Sequence, residues 1–203
     1  MSYLLHLLIY LDIYVIVALS LNLIVGYCGL LTLAHAGYFA VGSYAYALAA
    51  LTLGWGFLPA LALGIAASAV LSLAVSLPAW RFKGDFFVMF SLAAQALLFS
   101  LFYNWSSPGA EPGTWANLTN GPFGLSGVPK PVVFGLRLEG IELVAILATT
   151  VAAGCAILTW LLVSAPWGRL LKSLRDDDLA ARGLGKNVRL AKVQVFAIAC
   201  AMV

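Results

Sequence analysis

Charge is what this chain has least of. Only 9% of its 203 residues are charged while 63% are hydrophobic, and its mean hydropathy is +1.01. That scarcity excludes a soluble fold, because a chain of this length could not hide so much apolar surface from water. The first eighty residues hold no Lys or Arg. The N-terminus, MSYLLHLLIYLDIY, therefore has no basic n-region, and no small-residue cleavage site follows its apolar run. It is expected to remain as a first spanning helix and not to leave as a signal peptide. His6 and His35 are the two histidines, and Cys28, Cys155 and Cys200 sit in apolar stretches without metal-ligand spacing. No metal site is expected, and the cysteines read as small core residues. Gly-x-Ser-x-Gly, a Walker-type phosphate loop, a His-Glu pair on a helix and paired intramembrane carboxylates are all absent, so no catalytic constellation is present. Energy for any work must come from outside this chain. The net charge of +3 is not a nucleic-acid signal, since seven of the eleven basic residues and three of the eight acidic ones share one stretch, Gly168–Lys192.

What is present is a series of long apolar runs. A helix crosses a bilayer core with ~20 apolar residues. Five segments meet that length: Leu5–Gly26, Ala34–Leu53, Phe57–Trp80, Phe86–Trp105 and Ile141–Val163. A sixth starts near Ala191 and is still apolar at Val203. The expected fold is an all-α polytopic helix bundle, one transmembrane domain over 1–203, with five complete spans and the start of a sixth. A chain stopping mid-helix in this way is expected to be truncated or part of a longer reading frame. Basic residues set the orientation. Gly168–Lys192 belongs in the cytoplasm, as does Arg81-Phe82-Lys83, while the loop 106–140 and Met1 lie outside. The second segment reads as a full span or as a re-entrant one.

Two loops stand out. The outer one holds five of the eight prolines and the glycines 109, 113, 121, 124 and 127. It is either an ordered cap or a contact surface for a partner, and Trp105 and Trp115 suit the headgroup level. The inner one, about 164–190, begins with Pro166 and an amphipathic run that turns Leu170, Leu171 and Leu174 towards the bundle. Asp176, Asp177 and Asp178 then favour the start of a short helix, Ala180 and Ala181 offer a flat surface, and Gly183 and Gly185 stop it. Such a helix suits a groove on a cytosolic motor subunit. The alternative is a basic loop held by anionic lipid, which the three aspartates weaken.

Within the membrane, Gly26, Gly29, Gly37 and Gly42 permit close helix packing. The stretch from Gly26 to Ala34 reads as a break in which Thr32 satisfies freed backbone groups, or else as a tight hairpin. Asn22 and His35 flank it, as interhelical contacts or as part of a translocation path. Gln95 is expected to make a packed hydrogen bond, and Asp12 faces water or a neighbouring helix.

These residues resemble a known family. LNLIVGYCGLLTLAHAGYFAVGSYA (Leu21–Ala45), LPAWRFKGDFF (Leu77–Phe87) with TNGPFGLSGVP (Thr119–Pro129), and SAPWGRLLKSLRDDDLAARGLGKNVRLAKVQV (Ser164–Val195) are similar, in order, to blocks of the permease subunits of branched-chain amino acid ABC importers, in particular the LivM-like ones. Ala34 stands where glycine is usual, and the wider family includes urea and amide importers. The resemblance implies a multi-pass protein of the bacterial inner membrane, paired with a second permease subunit, two cytoplasmic ATPase subunits carrying ATP-Mg, and an extracytoplasmic binding protein. No cofactor is implied on this chain itself. Arg175, Asp176, Asp177, Asp178, Ala180, Ala181 and Gly185 would couple to the ATPase. Asn22, Gly26, Gly29, His35, Gly37, Gly42 and Gln95 would line or pack the path, and Gly121, Gly124, Leu125, Gly127 and Pro129 would meet the binding protein. Competing readings are a self-sufficient channel or carrier, for which Asp12 is the one intramembrane carboxylate, and a non-transporting assembly fragment.

Overall fold

Apolar residues at helical density fold into long helices because a helix satisfies its own backbone in a medium that offers no hydrogen bonds. The computed structural model describes residues 2–76, 84–107, 109–133, 136–137 and 140–203. The basic pair at 81 and 83 and the expected end of the third span at Trp80 lie outside the described residues. The elements are α1 (Ser2–Asn22), a π-helical turn (Leu23–Tyr27), α2 (His35–Thr52), α3 (Phe57–Ser76), α4 (Asp85–Asn104), α5 (Ile141–Ser164), α6 (Pro166–Asp176), α7 (Asp178–Gly183) and α8 (Val188–Met202). A two-residue antiparallel pair, Val132–Val133 with Leu136–Arg137, decorates the long loop after α4. The architecture is an all-α polytopic bundle.

Four stretches, Ser2–Tyr27, Phe57–Ser76, Asp85–Asn104 and Ile141–Ser164, are long and apolar enough to cross a membrane. The expected span at 34–53 becomes α2, whose 18 residues include His35 and three tyrosines and which falls short of the other four in apolarity. Its neighbours nonetheless carry it from one face of the bundle to the other. Leu33 N–H donates to Ser91 Oγ (2.9 Å), Gly37 packs on Gln95 and Leu98, and Tyr44 stacks on Phe102 at 4.8 Å. Rising numbers on both partners mean that α2 and α4 run side by side in the same direction. At 1.5 Å per residue α2 is about 27 Å long, close to the thickness of a hydrocarbon core.

Helix contacts are made by small residues. A side chain on Gly64 of α3 would meet Gly42 O of α2 at 2.9 Å, and Ser68 of α3 lies against the same glycine. In lipid such close approach supplies the packing that the hydrophobic effect cannot. Thr149 of α5 donates to Asp12 Oδ2 of α1 at 2.7 Å, so Asp12 meets a neighbouring helix. Many large apolar side chains of α1, α4 and α5 are exposed, as lipid-facing surfaces require. The buried core is concentrated at the end of the bundle where α6, α7 and α8 close over the π-helical turn, around Leu23, Ile24, Tyr38, Leu171, Leu174, Val195 and Phe196. The last helix begins at Val188, three residues ahead of the expected start, because Asn187 Oδ1 accepts from Leu190 N–H (3.1 Å) and caps it.

Candidate functional site

The charged stretch folds as two short helices at a sharp step. Pro166 opens α6 at a position where a missing N–H costs nothing. Leu171 and Leu174 are buried and Leu170 is half-buried, as the amphipathic pattern requires. The helix includes Arg175 and Asp176 and ends there. Asp177, extended, caps the next helix: its Oδ1 accepts from Leu179 N–H (2.8 Å) and Ala180 N–H (3.0 Å). The helix expected from Asp176 is therefore α7, Asp178–Gly183, and Gly185 (φ 73°) turns the chain out of it.

The two alanines part company. Ala180 is exposed, but Ala181 is buried in the core, so the outward surface of this segment is Leu179 (67% exposed), Ala180, Arg182 and Leu184 (79% exposed). Asp178 pairs with Arg182 at 2.9 Å and faces Lys192 Nζ at 3.4 Å. Lys192 is itself buried on α8, a residue that sequence reasoning passed over. Its place four residues after Val188 and three before Val195 on the inward stripe of α8 was the available signal.

Beneath α6 and α7 lies the break after α1. Cys28 N–H reaches back to Leu23 O (3.3 Å) and Leu30 N–H to Ile24 O (3.1 Å), a widened turn that leaves Gly26 O outside the helical pattern. Arg175 donates to that carbonyl at 2.7 Å, and Lys172 Nζ stands 5.6 Å from the Tyr27 ring centroid. Gly29 (φ 72°) passes so close that a side chain there would meet Arg175 Cα at 3.2 Å. Burial pushes the Cys28 thiol up to about 11, with Lys192 pulling it down and Asp178 pushing it up by lesser amounts. Thr32 plays its expected part, since Ala34 N–H donates to its Oγ1 (3.3 Å).

Asn22 is exposed at the last position of α1, whereas His35 is buried. Ser20 donates to Val17 O (2.8 Å), so its one hydroxyl proton is committed and it accepts from His35 Nε2 at 2.7 Å. His35 Nδ1, Tyr38 Oη and Gln95 Oε1 are buried without a hydrogen-bond partner among the described residues. The packed hydrogen bond expected of Gln95 is thus not made at that oxygen, which instead faces Gly37, 2.9 Å from where a side chain would begin. Gly37 and Gly42 are close-packing positions against α4 and α3, respectively.

On the far face, Gly121 is buried under Tyr103 O and Ser106, and Gly124 and Leu125 are half-buried, while Gly127 and Pro129 are exposed. Thr119 anchors the loop, donating to Phe102 O (2.6 Å) and lying 3.1 Å from Trp105 O. Trp105 Nε1 donates to Trp115 O at 2.9 Å, which ties the two indoles together. Phe123 (87% exposed) and Trp115 (81% exposed) project from this ordered loop. Phe123 was not singled out, because an aromatic in a Pro/Gly-rich loop carries no periodic signal.

A broken, glycine-packed helix bundle with a short, anchored charged helix at one face and an ordered loop at the other is the architecture of a polytopic membrane protein. Comparison with known proteins makes that specific: a family model described as "Branched-chain amino acid transport system / permease component" matches residues 3–202, and the chain belongs to this family. It is 29% identical over 93% of its length to the "High-affinity branched-chain amino acid transport system permease protein LivM" of Escherichia coli (strain K12). It is 30% identical over the same share to the protein of that name from Salmonella typhimurium (strain LT2). The chain spans 48% of the length of these two curated relatives. No solved structure matches.

Proposed function

We propose that this chain is a permease subunit of an ATP-driven importer for branched-chain or related amino acids, in a bacterial inner membrane. It works with a second permease subunit, two cytoplasmic ATPase subunits and an extracytoplasmic binding protein. The observation that carries this reading is the build of α7. A helix of six residues exposes Leu179 and Ala180, with exposed Leu184 just past its end, yet it is held from behind by the Asp177 cap, by buried Ala181 and by the Asp178–Lys192 pair. An apolar knob on a rigid base fits a groove on a soluble subunit, because little ordering entropy is left to lose on docking. Hydrolysis belongs to the ATPase partners, and this chain supplies the passage and the contact.

The broken α1–α2 region with Tyr38, His35 and Gln95 is then the part that lines or reshapes the path, since buried polar atoms within a membrane bundle mark such routes. The loop after α4 meets the binding protein through Phe123, Gly127 and Pro129. A self-sufficient carrier would use its intramembrane carboxylate for transport. Asp12 instead serves as a helix–helix contact to Thr149.

Co-purification in detergent with the ATPase subunits encoded beside this gene tests the reading. Wild type should recover the ATPase. Leu179→Arg/Ala180→Arg should insert into the membrane normally but lose at least ten-fold in recovery, because both side chains face outward. Undiminished recovery would refute the docking role of α7.

A further inference from the structure

The charged helices and the broken first helix are separate in sequence, yet three contacts fasten the end of α6 to the break. Arg175 donates to Gly26 O at 2.7 Å across 149 residues of sequence. The Arg175 backbone lies where any side chain on Gly29 would be, and at φ 72° that position suits glycine on conformational grounds as well. Lys172 sits over Tyr27. Arg175 also stands two residues ahead of Asp177, the cap of α7. An exposed arginine on an amphipathic helix has no structural need to turn inward. Here it takes Gly26 O, an acceptor that the widened turn at Leu23–Tyr27 leaves outside the helix ladder. Six residues beyond Gly29 comes His35, the first residue of α2, hydrogen-bonded back to Ser20 of α1.

We infer that Arg175 is a positioning residue for transport: it transmits displacement of α7 to the π-helical turn and so to the hinge between α1 and α2. When a partner moves α7, the cap at Asp177 moves the end of α6, and the Arg175–Gly26 bond draws the turn with it. The widened turn is the deformable part, since its hydrogen bonds are longer-range and fewer than those of a regular helix. Gly29 serves as the swivel. Loss of the guanidinium should leave the docking surface whole and disconnect it from the path. This inference rests on the docking role proposed for α7.

The test compares wild type, Arg175→Ala and Arg175→Lys in proteoliposomes containing the complete transporter, with radiolabelled leucine as the probe. Arg175→Ala should recruit the ATPase and hydrolyse ATP, yet leucine taken up per ATP should fall at least ten-fold at unchanged thermal stability. Arg175→Lys, which keeps a donor for Gly26 O, should restore most of that ratio. A second readout uses this chain alone: buried Cys28 lies between Gly26 and Gly29. Its alkylation by a membrane-permeant maleimide, located by mass spectrometry, should speed up at least ten-fold in Arg175→Ala. An unchanged uptake-to-hydrolysis ratio would overturn the inference. So would loss of ATPase recruitment in Arg175→Ala, which would make Arg175 part of the docking surface. If wild type itself recruits no ATPase, the docking proposal fails, and the Cys28 arm still decides whether Arg175 governs the hinge.

Discussion

Gln95 and Asp12 are both polar side chains inside apolar helices, and the structure gives them opposite roles. Asp12 is buried and accepts from Thr149 across α1 and α5. Interhelical hydrogen bonds of this kind contribute about 0.6 kcal/mol on average and up to ~1.7. Thr149→Val should therefore lower the melting temperature in detergent modestly, whereas Asp12→Asn, which keeps an acceptor, should stay near wild type. A Thr149→Val protein as stable as wild type would remove Asp12 from the packing argument. Gln95 Oε1, by contrast, has no partner among the described residues. Replacing a half-buried amide whose oxygen is buried and unpaired with an apolar group of similar shape is close to neutral or stabilising. Gln95→Leu should accordingly match or exceed wild type in thermal stability while transport falls at least ten-fold. A merely structural glutamine would lose stability and keep transport. At this scale the sequence announced which residues were polar in an apolar setting, but not which would find partners. That depended on neighbours more than fifty positions away.

The element with most at stake is α7. Six residues are too few for an isolated helix, because nucleation is costly and propagation has no length in which to recover the cost. Its existence depends on anchors: the two hydrogen bonds to Asp177, the buried methyl of Ala181 and the ion pair to Lys192. Removing an N-cap costs about 1 kcal/mol. Asp177→Ala should raise hydrogen exchange of the Leu179–Gly183 amides roughly five-fold and weaken ATPase recruitment by a similar factor, with the spanning helices unaffected. Exchange unchanged in α7 would show that the tertiary anchors suffice without the cap. Much of this element was readable beforehand. The acid cluster, the small residues and the two glycines placed a helix there, and its observed start differs by two residues because Asp176 completes α6. The inward turn of Ala181 was not readable, since six residues make fewer than two turns and hold too little periodicity to fix a face. The π-helical turn was legible only as a break between Gly26 and Ala34. The carbonyl that its widened hydrogen-bonding frees is met by Arg175 from 149 residues away, and no local pattern encodes that partner.

For the molecule as a whole the open question is sidedness, and α2 decides it. The absence of basic residues before Arg81 leaves the first half of the chain without a charge signal, and α2 is the least apolar of the long helices. Its parallel run beside α4, from Leu33 at Ser91 to Tyr44 at Phe102, carries it across. Its far end then meets the loop that follows α4, where Thr52 packs against Gly113. Three tyrosines are tolerated in such a helix because they face α3 and α4 and the core instead of lipid: Tyr38 is fully buried, Tyr46 lies edge-on to Phe57 and Tyr44 stacks on Phe102. The geometry thus puts the turn at Gly54–Gly56 on the same face as Phe123, opposite α7. Trp55→Cys and Phe123→Cys should react with a membrane-impermeant maleimide from one side of intact cells, and Leu184→Cys only after the membrane is opened. All three native residues are exposed, at 42%, 87% and 79%, so each cysteine is reachable. Labelling of Trp55→Cys together with Leu184→Cys, apart from Phe123→Cys, would mean that α3 and α4 do not both cross between them. That outcome would contradict the parallel run of α2 beside α4, which sets Thr52 against Gly113, while leaving the placement of α7 to stand on α5 alone.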